Sequence, residues 1–230
     1  MSDEQLDLRP LAGLRVIEVG QLLAGPFTGT ILGYFGAEII KVEPPEVGDP
    51  IRGWREVRDG TSLWWASLSR NKKCITLDLK TPKGQEVLKK LANTADVFVE
   101  NFRPGTMEKW GIGPDTFKEE NPGLIYARIS GYGQTGPAAS KAGFASVCEA
   151  FGGFRYVNGF PGEVPVRPNI SIGDTLAGIH AALGVLLAYI GRQKSGQGQV
   201  VDVAIFEGLF NLLEAVIPEY SGAGIVREPS

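Results

Sequence analysis

Apolar positions along the chain fall into short runs broken by glycine, proline and charge, and stretches of helical period fill several of the gaps. RVIEV (15–19) is the first strand signal. GQLLAGP follows it, then FTGTILGYFG with helical spacing through Gly36, then the strand AEIIKVE (37–43), ended by PPEVGDP. Strand, glycine-bearing turn, helix and second strand form a βαβ unit, the start of a parallel doubly wound sheet. CITLDL (74–79) is a further strand. Thr81-Pro82 opens a helix over KGQEVLKKLANTA, with Pro82 suited to its first turn, and DVFVEN (96–101) closes a second unit. A turn at Pro104-Gly105, a short helix over 114–120 and the strand LIYARIS (124–130) come next, then a short helix over 143–153, the strand-like VVDVA and a helix from about 205 to 217. The fold class expected is α/β, an open, mostly parallel Rossmann-like sheet flanked by helices.

The longest periodic stretch is NISIGDTLAGIHAALGVLLAYIGRQKSGQG, 169–198. Asp174 precedes the repeat Leu176, Ile179, Ala182 and Leu186, and this places it at the N-cap of a helix running to about 192. Two roles fit that position. Its carboxylate caps first-turn amides of a buried helix, or it is a reactive carboxylate held beside glycines that let a substrate approach. Residues 51–73 break the rhythm with Trp54, Trp64 and Trp65 among basic side chains. They read as an irregular loop or short helix whose aromatics serve core, interface or ligand wall.

Composition narrows the function classes. The chain has 230 residues, 43% apolar and 21% charged, with a net charge of -3, enough for one large globular domain. With no dominant basic cluster, sequence-nonspecific nucleic-acid binding is not expected. Cys74 and Cys148 lie too far apart to suggest a disulfide framework or metal site, and they read as reduced thiols. The acidic opening MSDEQLDLRP is neither a secretory signal nor a basic transit peptide. The apolar run at 176–190 reads as a buried helix rather than a membrane span, so a cytoplasmic location is expected, with no membrane partner.

No familiar nucleotide-binding, hydrolase or metal motif is complete. The one histidine, His180, falls inside the long helix and reads as a packed residue, with no second histidine to help it hold zinc. Glu18 and Glu43 read as structurally paired carboxylates, and Asp202 as a weaker ligand-side candidate. Polar or glycine-rich loops at 20–26, 44–50, 101–105 and 130–137 follow strand carboxyl ends, the edge where open α/β sheets bind ligands. Asp174 has Gly173 before it, Gly178 four residues on and Arg167-Pro168 upstream. A carboxylate there serves as general base or covalent nucleophile, and the residues alone leave both open.

LAGLRVIEVGQLLAGPFTGTILGYFGAEIIKVEPPEVGDPIRGW (11–54), RNKKCITLDLKTPKG (70–84), DVFVENFRPGTMEKWGIG (96–113), ARISGYGQTGP (127–137) and GDTLAG with the later GRQKSGQGQVVDVA occur in an order that resembles the family III CoA-transferases. That family is named for carnitine-CoA transferase and bile-acid-inducible protein F. The resemblance runs from 11 to about 217 and matches the first half of longer family members. It implies a polar lead (1–13), a large CoA-transferase domain (14–217, its N-terminal part) and the start of a linker toward a second domain (218–230). It also implies an interlocked homodimer.

By this resemblance Asp174 is the nucleophile of an acyl-CoA:carboxylate CoA transfer, working through an aspartyl anhydride and an aspartyl-CoA thioester. Coenzyme A and its thioesters are substrates, a small carboxylic acid is the other partner, and no tightly bound cofactor or metal is expected. Leu77, Lys80, Asn101, Lys109 and Lys141 match positions that hold CoA in relatives. Leu23 and Pro44 replace a glutamine and an arginine of some relatives, so a close match to the formyl-CoA:oxalate branch is not implied.

Two alternatives come with the resemblance. α-Methylacyl-CoA racemases share the aspartate but pair it with a histidine where this chain has Phe144, and exchange from both faces of Cα needs two acid/base groups. A non-catalytic CoA-binding or assembly subunit is the other. Arg155 and Arg167, in the segment leading to Asp174, are candidates to pair with the far carboxylate of a dicarboxylic substrate, against a role as ordinary surface arginines.

Overall fold

The computed structural model describes residues 8–229. Of the polar lead, residues 1–7 lie outside them. The rest turns into β1 (Arg15–Glu18), followed by α1 (Ala24–Tyr34) and β2 (Glu38–Glu43). A 3-10 turn at Pro50–Gly53, the hairpin β3 (Val57–Arg58) and β4 (Thr61–Ser62), and α2 (Leu63–Leu68) occupy the irregular region. Ser62 caps α2 by accepting from the Trp65 amide, and its own hydroxyl donates to the Trp54 carbonyl. There follow β5 (Lys72–Thr76), α3 (Pro82–Ala92), β6 (Val97–Glu100), α4 (Thr106–Lys109) and β7 (Ile125–Ser130). The remaining elements are α5 (Ala145–Phe151), α6 (Ile172–Ser195), β8 (Val200–Ala204), α7 (Ile205–Phe210) and α8 (Val216–Ala223).

One parallel sheet with the order β5-β2-β1-β6-β7-β8 carries the fold. The chain winds outward from β1 in both directions, so the topological switch point lies between β1 and β6. Period-two alternation sends neighbouring residues to opposite faces. Val16, Val97, Val99 and Ala127 pack with α1 and α6, while Ile17, Phe98 and Tyr126 pack with Leu88 and Ala92 of α3. Both faces are covered, which is why the central strands are apolar almost throughout.

Beneath the β1–α1 turn lies a buried ionic cluster. Lys41 Nζ sits 3.0 Å from Glu18 Oε1 and 2.8 Å from Asp49 Oδ2, and Lys72 Nζ sits 2.8 Å from Glu18 Oε2. Gly29 of α1 passes directly over Glu18, where any Cβ would overlap Oε2. A glycine inside this helix is disfavoured by propensity but makes room for the carboxylate.

Several boundaries differ from the sequence expectation, among them the helix over 114–120, which is a 3-10 turn at Pro114–Phe117, and the one over 143–153, which spans Ala145–Phe151. β5 begins and ends earlier than 74–79, and α1 starts at Ala24 rather than near Phe27. The helix expected over 205–217 breaks at Glu214, which has φ 48°, and resumes as α8 through Ala223, including residues 218–223. Asp174 is not the N-cap of α6. Ser171 is, and Asp174 is the third helical residue, with no side-chain cap present. The apolar repeat begins before the aspartate because Gly173 already lies in the helix, packed against Ile205, Leu209 and Ala145 so closely that a Cβ would crowd all three. By length and composition α6 could cross a membrane, but its face of Ala177, Ala181, Ala182, Val185 and Ala188 is buried in the core.

Candidate active site

At the switch point, Asn101 after β6 fastens itself to the loop after β1. Its Oδ1 accepts from the Gln21 amide at 2.8 Å and its Nδ2 donates to the Gln21 carbonyl at 2.9 Å. Asp49 holds the next residue of that loop, accepting from the Leu22 amide at 3.0 Å, and Leu22 adopts φ 64°. A non-glycine residue in this left-handed region persists only where its surroundings hold it. The loop then delivers Leu23 and Ala24, the start of α1, whose N-terminus no side chain caps. Free first-turn amides of that kind favour negative charge.

These loops bound a cavity of about 690 Å³ with the segment after β7 and the start of α6. Leu23, Ala24 and Phe102 line it on one side, and Phe144, Ser171 and Asp174 on the other. Arg55, Arg103, Lys141 and Arg167 also face it, while Asp174 is its one carboxylate. Arg55 lies over the Trp64 ring at 4.5 Å, and Trp54 and Trp64 stand 6.2 Å apart as part of the wall. The irregular segment of the sequence is therefore a wall of this cavity as well as a packing element, through Trp65.

Burial, and then the negative charge of Glu149, push the Asp174 carboxyl up to about 6, and Arg167 pulls it partly back. Such a group is still mostly ionised at neutral pH and more basic than an ordinary aspartate. Burial, with Asp174 and Glu149 adding to it, pushes the nearby Cys148 thiol up to about 12, so Cys148 stays protonated and donates to the Gly131 carbonyl. His180 Nδ1 donates to the Leu176 carbonyl at 2.8 Å, the packed role expected of it. Asp202 accepts from the Gln134 amide and shapes the loop after β7. Among the described residues no group of three histidine, cysteine, aspartate or glutamate side chains is placed to hold a metal ion.

Three of the six singled-out residues, Asp174, Asn101 and Lys141, meet at the cavity. Leu77 and Lys80 follow β5 outside the cavity, on the same carboxyl edge of the sheet, with Leu77 half-buried against the α3-side core. Lys109 ends α4, exposed. Asn101 has both polar atoms of its side chain committed to Gln21. The sequence does not mark Glu149. It is fully buried on α5 and its charge bears on Asp174, and no local signal distinguishes it from an exposed helical glutamate.

The model for CoA-transferase family III matches residues 11–230. A relative from Chloroflexus aurantiacus named succinyl-CoA--D-citramalate CoA-transferase is 56% identical over 96% of this chain and 55% of its own length. The human succinyl-CoA:glutarate CoA-transferase is 37% identical over 93% of this chain and 49% of its own. Among solved structures, a CAIB/BAIF family protein from Brucella suis superposes with a TM-score of 0.90 at 34% identity, covering 96% of this chain and 59% of that one. The chain spans about half the length of the curated relatives it matches.

Proposed function

This chain belongs to CoA-transferase family III, and on that premise we propose that the protein transfers CoA from an acyl-CoA to a carboxylic acid with Asp174 as covalent nucleophile. One observation supports this above the rest. The single carboxylate lining the switch-point cavity is raised to about 6, and four cationic side chains line the same cavity, of which Arg167 acts on it directly. A more basic carboxylate is a better nucleophile, and the cations suit a substrate that brings phosphates and a carboxylate.

In the proposed sequence, an Asp174 oxygen attacks the donor thioester carbonyl. The tetrahedral oxyanion collapses, the C–S bond breaks, and CoA thiolate departs from an acyl-aspartyl anhydride. The thiolate then attacks the aspartyl carbonyl of that anhydride, releasing the donor acid and leaving an aspartyl-CoA thioester. The acceptor carboxylate attacks this thioester and frees the thiolate again. Attack of the thiolate on the acceptor's carbonyl yields the new acyl-CoA and restores Asp174. Each tetrahedral intermediate carries charge on oxygen, and the uncapped start of α1 beside Leu23 and Ala24 is suited to stabilise it.

CoA is held in this reading by Leu77, Lys80, Lys109 and Lys141, with Asn101 contributing through the Gln21 loop that its side chain ties down; all five follow the carboxyl ends of β5, β6 or β7. The names of the relatives point to dicarboxylic substrates such as succinyl-CoA, and that class is proposed here. An interlocked homodimer and a cytoplasmic location belong to the same reading. Phe144 on the cavity wall, in place of a second acid/base group, favours transfer over racemisation.

The test incubates the whole protein with an acyl-CoA and a second carboxylic acid. Transfer gives a new acyl-CoA by mass spectrometry and an Asp174 adduct trapped by hydroxylamine or borohydride. Loss of α-deuterium without any acceptor would replace this reading with racemisation. A protein showing neither adduct nor exchange would be a non-catalytic subunit.

A further inference from the structure

Beside Asp174 a second carboxylate is buried without full compensation. Glu149 of α5 is 0% exposed, and its Oε1 has no hydrogen-bond partner. Its Oε2 stands 3.5 Å from Arg155 Nη2 and 3.5 Å from Arg167 Nε. Burying a carboxylate this loosely paired opposes folding, so its position calls for a role.

The two arginines differ in what remains free. Arg155 is turned inward. Its Nη2 donates to Ser146 Oγ, its Nε is buried without a partner, and it is not part of the cavity wall. Arg167 lines the cavity with Asp174, its side chain 40% exposed. It meets Glu149 through Nε, and among the described residues its two terminal nitrogens make no hydrogen bond. An ion pair on the Nε side leaves the outer N–H groups of the guanidinium as a fork matched to a carboxylate. Even a loose pairing narrows the range of positions of the side chain and so reduces the entropy lost on binding.

We propose that Arg167 receives the second carboxylate of a dicarboxylic substrate, and that buried Glu149, flanked by Arg155, is the positioning residue that aims it. This rests on the transferase reading above and assigns the specificity of that site to one of two candidate arginines. Neither residue enters the bond-making steps, which remain those of Asp174.

The test compares succinate with butyrate as acceptors, the same number of carbons with and without the second carboxylate, in the whole protein. Arg167→Gln is expected to lower the succinate-to-butyrate ratio of kcat/KM by about 100-fold, the scale of a charged bidentate pair. Arg167→Ala should recover succinate transfer, and not butyrate transfer, when guanidinium ion is added. Glu149→Gln should raise KM for succinate by about 10-fold while the two acids keep similar kcat values, a split that general loosening of the fold would not produce. If Glu149→Gln does not fold, the half-exposed Arg167 variants still decide the matter.

An unchanged ratio in Arg167→Gln overturns the proposal while transfer itself stands. So does a ratio lost in Arg155→Gln but kept in Arg167→Gln, and so does a higher KM for the acyl-CoA donor without altered discrimination. A wild-type protein that transfers CoA to other acids but does not prefer succinate to butyrate overturns this proposal alone, whereas one that forms no Asp174 adduct and no new acyl-CoA with any acid sinks the transferase reading and this proposal with it.

Discussion

The two walls of the cavity both bury charge, and they treat it oppositely. Under the β1–α1 wall, Glu18 and Asp49 each have a lysine ammonium within 3.0 Å, and Asp49 also accepts the Leu22 and Ile51 amides. Burial pulls the Lys41 ammonium down, but Glu18 and Asp49 outweigh it and its pKa ends above the ordinary value. In the α5–α6 wall, Glu149 meets its arginines only at 3.5 Å, and burial and Glu149 leave Asp174 a weaker acid than usual. The first arrangement fixes a strained loop. The second keeps a carboxylate poorly solvated, which costs stability and raises reactivity, as expected where function and stability conflict.

Asp174→Asn should separate these roles most sharply. Transfer should fall by about 10⁴-fold or more, as for loss of a covalent nucleophile, measured as acyl-CoA exchange. Stability should move the other way. Because the folded pKa of about 6 lies above the unfolded one, the fold favours the protonated acid. Wild type should therefore lose about 3 kcal/mol relative to the asparagine variant as pH rises from about 4 through about 6, read from urea unfolding across that range. A variant less stable than wild type at pH 8 would contradict the description of Asp174 as a strained charge.

On the opposite wall, Lys41→Met should destabilise by about 3–5 kcal/mol, because it leaves Glu18 and Asp49 buried without their shared partner. A loss below about 1 kcal/mol would mean that water reaches the cluster and the contrast between the walls is false. Gly29→Ala inserts a methyl group against Glu18 and should cost about 1–3 kcal/mol by overpacking, although alanine is the better helix former. Thermal denaturation checks it, and a gain in stability would show that Glu18 can move aside.

The smallest effect is in the pH profile. If Asp174 is the proposed nucleophile, activity should rise with pH through a limb near 6, because only its ionised form attacks. Glu149 and Arg167 are the charged groups acting on it, while neighbouring Cys148 stays uncharged across this range. Glu149→Gln removes the like charge and should move the limb to lower pH, measured as kcat/KM against pH. A limb that stays in place would remove Glu149 from the account of Asp174.

The sequence by itself determined the layer architecture and the strand series, and it singled out Asp174 as the candidate reactive carboxylate. Each is legible for a local reason: apolar runs of strand length, Pro82 and Thr81 at a helix start, and a GD pair before a helical repeat within ordered family blocks. Helix limits are less legible, because Gly173 looks like a boundary in sequence but is a packing residue of the first turn. Only the tertiary structure decided which charges share a neighbourhood. Asn101 reaches Gln21 across eighty positions, and Lys41 joins Glu18 to Asp49. Glu149 lies twenty-five residues from the aspartate it influences. Desolvation and Coulomb energy depend on distance and burial in space, and neither quantity has a periodicity along the chain. The place of Asp174 as candidate nucleophile is therefore legible through the family resemblance of the ordered blocks, whereas its basicity is not.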